Sequence, residues 1–316
     1  MMLNPYCLGI IYTYIIKKNT VTAKQKDNHD LFAILMVCLG YFSYSVMDAL
    51  SKYIVGELPI PQITMTINAI SAVMIFGVVL KKHGISGVKS THYHLHAIRV
   101  LFFIAVPYFI LKALGILTLT QFYSVIFTAP IIIMLLSILW LNEKLEIEKI
   151  IMAVIGLIGV FITIQAEIIS RLDGLVYCLI GMILIVGNTI TLRKIRHISH
   201  PLLFALYPSV ALTIVYTPFA ITSYIPPTGS QWIILIVSGI AVFGGQIGCV
   251  TGFTKASSTS TVAPYHYTQI IWGALFGYFI FENVPSVSSS IGIVLIIYSG
   301  LYIALLQRKQ KRQRRI

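Results

Sequence analysis

Charge is what this chain of 316 residues has least of. Charged side chains make up 10% of it, against roughly 25% in a soluble domain, while 57% of residues are hydrophobic and mean hydropathy is +0.88. That scarcity excludes a soluble globule. Acidic residues are the rarer sign, 10 against 23 basic, and they are dispersed, with no HExxH and no aspartate-rich motif. Membrane-embedded enzymes gather acidic or histidine side chains at one membrane face to hold a metal or phosphate. Such an enzyme, for example a lipid-modifying transferase, is the alternative reading, and the dispersal counts against it. The lack of a P-loop excludes nucleotide-driven pumping by this chain and leaves an ion gradient, a proton gradient or exchange. The four cysteines, Cys7, Cys38, Cys178 and Cys249, show no CxxC and no histidine-rich spacing. They read as small core residues, so no metal and no cofactor is called for. A formal charge of +13 raises nucleic acid as a partner, but the charges flank apolar runs instead of forming one face. No nucleic acid partner is expected.

Long apolar runs are what the chain has in abundance. A helix needs about 20 such residues to cross a bilayer. Ten spans are expected: Leu31–Val55, Gln62–Leu80, Leu95–Leu114, Leu119–Leu141, Ile147–Gln165, Leu172–Leu192, Pro201–Ile221, Gln231–Phe253, Thr259–Phe281 and Val287–Leu306. Residues 1–30 fit no span, because the apolar run Leu8–Ile16 is short and its lysines follow it, the reverse of a signal peptide. An interfacial helix and a misassigned start are both open readings. With the N-terminus in the cytoplasm, 20 of the 23 basic residues, Arg99 among them, fall on the inner side; Lys52, Lys112 and Arg171 do not. This orients both termini to the cytoplasm of a bacterial inner-membrane protein. The basic tail, 307–316, then meets anionic lipid headgroups.

The chain also repeats itself. The stretch STSTVAPYHYTQIIWGALFGYFIFENVP, Ser258–Pro285, is echoed by TLTQFYSVIFTAPIIIMLLSILWLNEK, Thr118–Lys144. Each has a polar and aromatic opening, a proline, an apolar run and an acidic end. Glu143 and Glu282 are 139 residues apart, and Asp48 and Asn188 are 140 apart. A duplicated unit of five helices, 31–165 and 172–306, is therefore expected. Five is odd, so the second copy is upside down relative to the first. The fold class is an all-α integral membrane protein of ten transmembrane helices in two inverted five-helix repeats, with a site between them near mid-membrane.

Polar side chains inside apolar spans need partners or water, and so mark candidate sites. Asp48 comes first, as a proton carrier, an anchor for a cationic group, or half of a structural pair with Lys52 one turn on. Tyr265, His266 and Gln269 follow at the opening of the ninth span, where Pro264 frees a backbone carbonyl and histidine can titrate near neutrality. Gln121, Tyr123, Ser124 and Thr128 occupy the matching region of the first repeat. Asn68, Tyr108 beside Pro107, and Asn188 are further candidates. The run GGQIG at Gly244–Gly248, with Gly252, reads as a close-packing surface, from which Gln246 can point into a cavity.

The segments TAPIIIMLLSILWLNEKL and GLIGVFI, matched later by APYHYTQIIWGALFGYFIFENVP and SIGIVLIIYSG, resemble the EamA-type drug/metabolite transporters over nearly all of Leu31–Leu306. The resemblance implies a ten-helix secondary carrier with a central cavity lined by helices 1, 3, 4, 6, 8 and 9. Within that family, DALSKY around Asp48 and APYHY are similar to bacterial S-adenosylmethionine carriers. The second span of that group often bears an arginine where this chain has Asn68, so any contact of that arginine does not carry over. The expected partners are a small-molecule solute, amino-acid-like, nucleoside-like or S-adenosylmethionine-like, a coupling proton or ion, and membrane lipids.

Overall fold

The structure is a computed structural model that describes residues 5–90, 92–129, 132, 147–164, 172–195, 199–255, 263–284 and 286–313. Among these residues there are helices and turns but no strand. The helices are α1 (Pro5–Ile54), α2 (Ile60–His83), α3 (Tyr93–Ile104), α4 (Val106–Ile116), α5 (Leu119–Ile126), α6 (Ile147–Ile164), α7 (Leu172–Ile195), α8 (Leu203–Thr222), α9 (Gly229–Lys255), α10 (Thr268–Phe281) and α11 (Val287–Gln313), with a 3₁₀ turn at Ala263–Tyr267 before α10. Five stretches are long and apolar enough to cross a membrane: Asp30–Ile54, Ile60–His83, Tyr93–Ile116, Leu203–Thr222 and Gly229–Phe253. Val154–Thr163, Leu172–Asn188 and Val287–Tyr302 are shorter apolar helices in expected spans.

The remaining two expected spans are not continuous helices. In Leu119–Leu141 the helix stops at Ile126 and turns at Phe127–Thr128. Pro130 explains the stop, since a proline clashes with the carbonyl four residues before it, here that of Ile126. The rest of that span lies outside the described residues apart from Ala129 and Ile132, as does Glu143 just beyond it. In Thr259–Phe281 the α-helix begins only at Thr268, after the 3₁₀ turn; residues 256–262 are not described. Pro107 likewise divides the third span between α3 and α4. A carbonyl left over at that break, that of Ile104, accepts a 2.8 Å bond from the Tyr216 hydroxyl of α8, as a backbone group away from water requires. Residues 5–29, expected to stand apart from the first span, continue it as one helix.

Local sequence explains the helix ends. Pro61 sits in the first turn of α2, where its missing N–H is not needed. Lys81, Lys82 and His83 lie at that helix's negative end, and Gly84 closes it at φ 65°. Thr118 and Gln121 cap α5 reciprocally, side chain to backbone, at 3.0 and 3.2 Å. α10 ends on Glu282 in the left-handed region, φ 54°. The N–H of Glu282 returns to Tyr278 O and that of Asn283 to Gly277 O, at 3.1 and 2.9 Å.

Burial is inverted relative to a soluble protein. Leu31, Leu35, Leu39 and Phe42 are exposed on one face of α1, while Ser45, Asp48 and Ser51 are buried on another. That is the distribution a lipid surround selects. The helices pair across the two sequence halves: α1 with α9, α7 with α3 and α4, α2 with α8, α6 with α11, and α5 with α10. Gly40 and Gly248 let α1 and α9 meet backbone to backbone, and a methyl on Gly248 would lie 2.7 Å from both Gly40 Cα and Met36 O. The close packing expected of the glycine run is present there.

Candidate functional site

One face of α1 presents Tyr41, Tyr44, Ser45 and Asp48, spaced by three and four residues as neighbours on a helix are. α5 and the 3₁₀–α10 segment close over this face. Asp48 is 7% exposed and its Oδ2 accepts a 2.7 Å hydrogen bond from the Tyr123 hydroxyl of α5, 75 residues away. Tyr123 reaches it because α10 offers Gly273 at the crossing, where any larger side chain would fall within the Tyr123 ring. Around this pair the rings interlock. Tyr41 stacks on His266 at 4.5 Å, and Phe127 meets His266 at 5.0 Å and Tyr267 at 5.4 Å. Phe127 also lies 5.9 Å from Tyr123. Gln269 is buried one turn beyond His266, within hydrogen-bonding reach of it. Tyr265 is half-buried and packs near Ala33 and Val37 of α1. A carboxylate with one hydroxyl donor inside a wall of aromatic faces is suited to hold a proton or an organic cation.

The Asp48–Lys52 pair is not formed. Lys52 Nζ donates instead to Leu114 O and Leu117 O at the end of α4, at 2.7 and 2.6 Å, and lies 5.4 Å from the Phe281 ring. The last carbonyls of a helix lack intrahelical donors, which draws an ammonium to them.

Of the other candidates, several are engaged elsewhere. Asn68 donates to Thr64 O of its own helix at 2.9 Å. Gln121 caps α5, Ser124 bonds Thr120 O, and Thr128 bonds Val125 O and Met182 Sδ. Gln246 turns to Ser209 of α8, its Nε2 donating at 3.2 Å. Tyr108 is 41% exposed and lies beneath Lys112, away from Asp48. Asn188 is buried in a second polar centre together with Arg99, which the charge pattern of the sequence assigned to the cytoplasmic side. There Arg99 of α3 is 7% exposed, donating from Nε to Asn188 Oδ1 at 2.9 Å and from Nη1 to Phe204 O at 2.6 Å. Pro208, inside α8, has no N–H for the Phe204 carbonyl, which leaves that oxygen for the guanidinium. Among the described residues no group of His, Cys, Asp or Glu has the arrangement to hold a metal ion.

Five helices long and apolar enough to cross a membrane, three shorter apolar ones, helices broken at prolines and a buried carboxylate in an aromatic wall together suit a membrane transport site, and the comparisons agree. The EamA-like transporter family matches residues 31–165 and again 172–305. The chain belongs to that family. Among its relatives, an uncharacterized transporter of Helicobacter pylori (strain J99) is 31% identical, the match covering 88% of this chain and 96% of the relative. An S-adenosylmethionine uptake transporter of Rickettsia felis is 24% identical over 89% and 97% of the two chains. A pseudopaline exporter of Pseudomonas aeruginosa is 25% identical over 86% and 95%. A crystal structure of an 18% identical chain superposes with a TM-score of 0.67 over 88% of this EamA chain and 98% of the other, which fixes the shared fold. The protein is thus an α-helical membrane transporter by family.

Proposed function

We propose that this EamA-family chain is a secondary carrier of the bacterial inner membrane, moving a small organic solute by alternating access. Both termini face the cytoplasm, and a proton, an ion or solute exchange supplies the drive. The observation that carries the reading is the Asp48–Tyr123 pair, enclosed by Tyr41, Phe127, His266 and Tyr267 where α1, α5 and the 3₁₀–α10 segment meet. Asp48 receives a cationic group of the solute or the coupling proton, and the aromatic faces favour the same sign of charge. Named relatives handle S-adenosylmethionine and pseudopaline, which makes an amino-acid-like or S-adenosylmethionine-like solute the first choice.

The packing supports an inverted repeat as the frame for this cycle. Exchanging the two halves maps the α1–α9 contact onto that of α7 with α3 and α4, α1–α10 onto α7–α5, and α2–α9 onto α8–α3, while α2–α8, α5–α10 and α6–α11 map onto themselves. Under such a twofold, a site at the interface of the copies is the expected arrangement. The test is flux into proteoliposomes of the purified chain, with radiolabelled S-adenosylmethionine and a set of amino acids and nucleosides as probes. Chemically unchanged solute recovered inside supports a carrier; Asp48→Asn should lower the flux by at least about tenfold. Chemically altered product would establish the membrane-embedded enzyme instead. Full flux with unchanged pH dependence in Asp48→Asn would remove Asp48 from the mechanism.

A further inference from the structure

Two opposite charges are buried in this protein with no counterion among the described residues. Neither Asp48 nor Arg99 joins an ion pair among the described residues. Arg99's partners, Asn188 Oδ1 and Phe204 O, are both neutral acceptors. They orient the guanidinium but leave its charge uncompensated, and the Phe204 ring 5.7 Å away adds only a weak cation–π contact. A guanidinium carries five N–H donors in a fork, and those on Nη2 have no partner among the described residues. The same holds for Asp48 Oδ1. The polar atoms sealed off without a partner are elsewhere: Thr64 Oγ1, Ser71 Oγ, His96 Nδ1, His200 Nδ1, Ser238 Oγ and Trp272 Nε1. Asp48 Oδ1 and Arg99 Nη2 are not among these sealed atoms.

Position 188 sharpens the point. It stands 140 residues after Asp48, at the corresponding place in the second repeat. An aspartate there would lock Arg99 in a fork-to-fork salt bridge. The asparagine holds the same geometry and leaves the positive charge available. Tyr44 lies one turn before Asp48 on the same face of α1, within electrostatic reach of both Asp48 and Arg99, and packs flat on Gly245 of α9.

We propose that Arg99, aimed by Asn188 and the Phe204 carbonyl, is the receptor for a carboxylate of the transported solute, so that the solute is an elongated zwitterion whose cationic part goes to Asp48. This rests on the carrier reading above. A simple amine would leave Arg99 uncompensated and a simple acid would leave Asp48 so; a solute bearing both charges neutralises both at once.

The experiment measures thermal stabilisation of the purified full-length chain in detergent, since a ligand of the native state raises its melting point. The probes are S-adenosylmethionine and a set of amino acids, each beside its decarboxylated analogue. For the wild type, the parent compounds bind at least about tenfold more tightly than their decarboxylated partners, the scale of losing a hydrogen-bonded charge pair. Asn188→Asp closes Arg99 with a salt bridge; it keeps or raises the ligand-free melting point yet loses the preference for the carboxylate. Arg99→Gln loses that preference too. Decarboxylated probes binding the wild type within about threefold of their parents would overturn the Arg99 assignment and leave the Asp48 site standing. Binding by nucleosides or simple amines alone would overturn the zwitterion in the same way. No binding by any probe would overturn both readings.

Discussion

Removing one oxygen, in Tyr123→Phe, separates what the Asp48–Tyr123 bond does for the fold from what it does for transport. The ring remains between Phe122, Phe127 and Gly273, so packing is preserved while the 2.7 Å donor to Asp48 is lost. Side-chain hydrogen bonds between membrane helices average about 0.6 kcal/mol and reach ~1.7, so unfolding in mixed micelles should shift by no more than that. If Tyr123 aims the Asp48 carboxylate at the solute, transport loses more. A bond to an ionised group is worth ~1.5–3 kcal/mol, equivalent to a drop of about 10- to 150-fold in uptake efficiency. The assay is the initial rate of S-adenosylmethionine uptake into proteoliposomes for the wild type, Asp48→Asn, Tyr123→Phe and the double variant. The two single losses should fail to add by at least ~1 kcal/mol, because the second substitution removes a partner already idle. Additivity within about 0.5 kcal/mol, or uptake by Tyr123→Phe within about twofold of wild type, would refute the claim that the two side chains act as one unit.

Gly273→Ala places a methyl within the Tyr123 ring; overpacking of this kind costs about 1–3 kcal/mol, and the displaced hydroxyl takes uptake down with it, read by melting point and flux together. Lys52→Met removes the two bonds to the α4 carbonyls and should lower stability by about 1–3 kcal/mol, while KM for solute stays unchanged because Lys52 does not touch Asp48. Gly248→Val forces α1 from α9 at the 2.7 Å backbone approach; membrane-inserted, folded protein should fall sharply, measured by monodisperse yield after detergent extraction.

The spans were legible because apolar length is itself the signal, and the prolines marked where three of them break. Pro107 and Pro130 stand four residues beyond carbonyls at or near the helix ends, a local effect that needs no tertiary knowledge. Asp48, Tyr123, His266 and Gln269 were legible as polar intrusions in apolar runs. Their pairing was not, since 75 residues separate Asp48 from Tyr123 and no spacing rule spans that distance. Asn68, Gln121 and Gln246 carried the same signal but are satisfied by Thr64 O, by the α5 cap and by Ser209; polarity alone does not distinguish a site from a joint. Arg99 was missed for the opposite reason. It lies near the end of an apolar run, where an arginine ordinarily marks the cytoplasmic edge, and its burial depends on Asn188 and on the carbonyl that Pro208 leaves free. The spacing of Tyr41, Tyr44, Ser45 and Asp48 on α1 was available in the sequence as a single polar and aromatic stripe.

The glycine seam bears on which pieces can swing. Where Gly40 and Gly248 bring two main chains into touch, sliding is blocked and the two rods turn together. One rod is encoded early in the chain and the other late. The two family-matched segments, 31–165 and 172–305, and the mechanical parts of the proposed cycle therefore do not coincide: a lever that tilts in that cycle is assembled from both, and its pivot is to be sought at the looser crossings between such mixed levers.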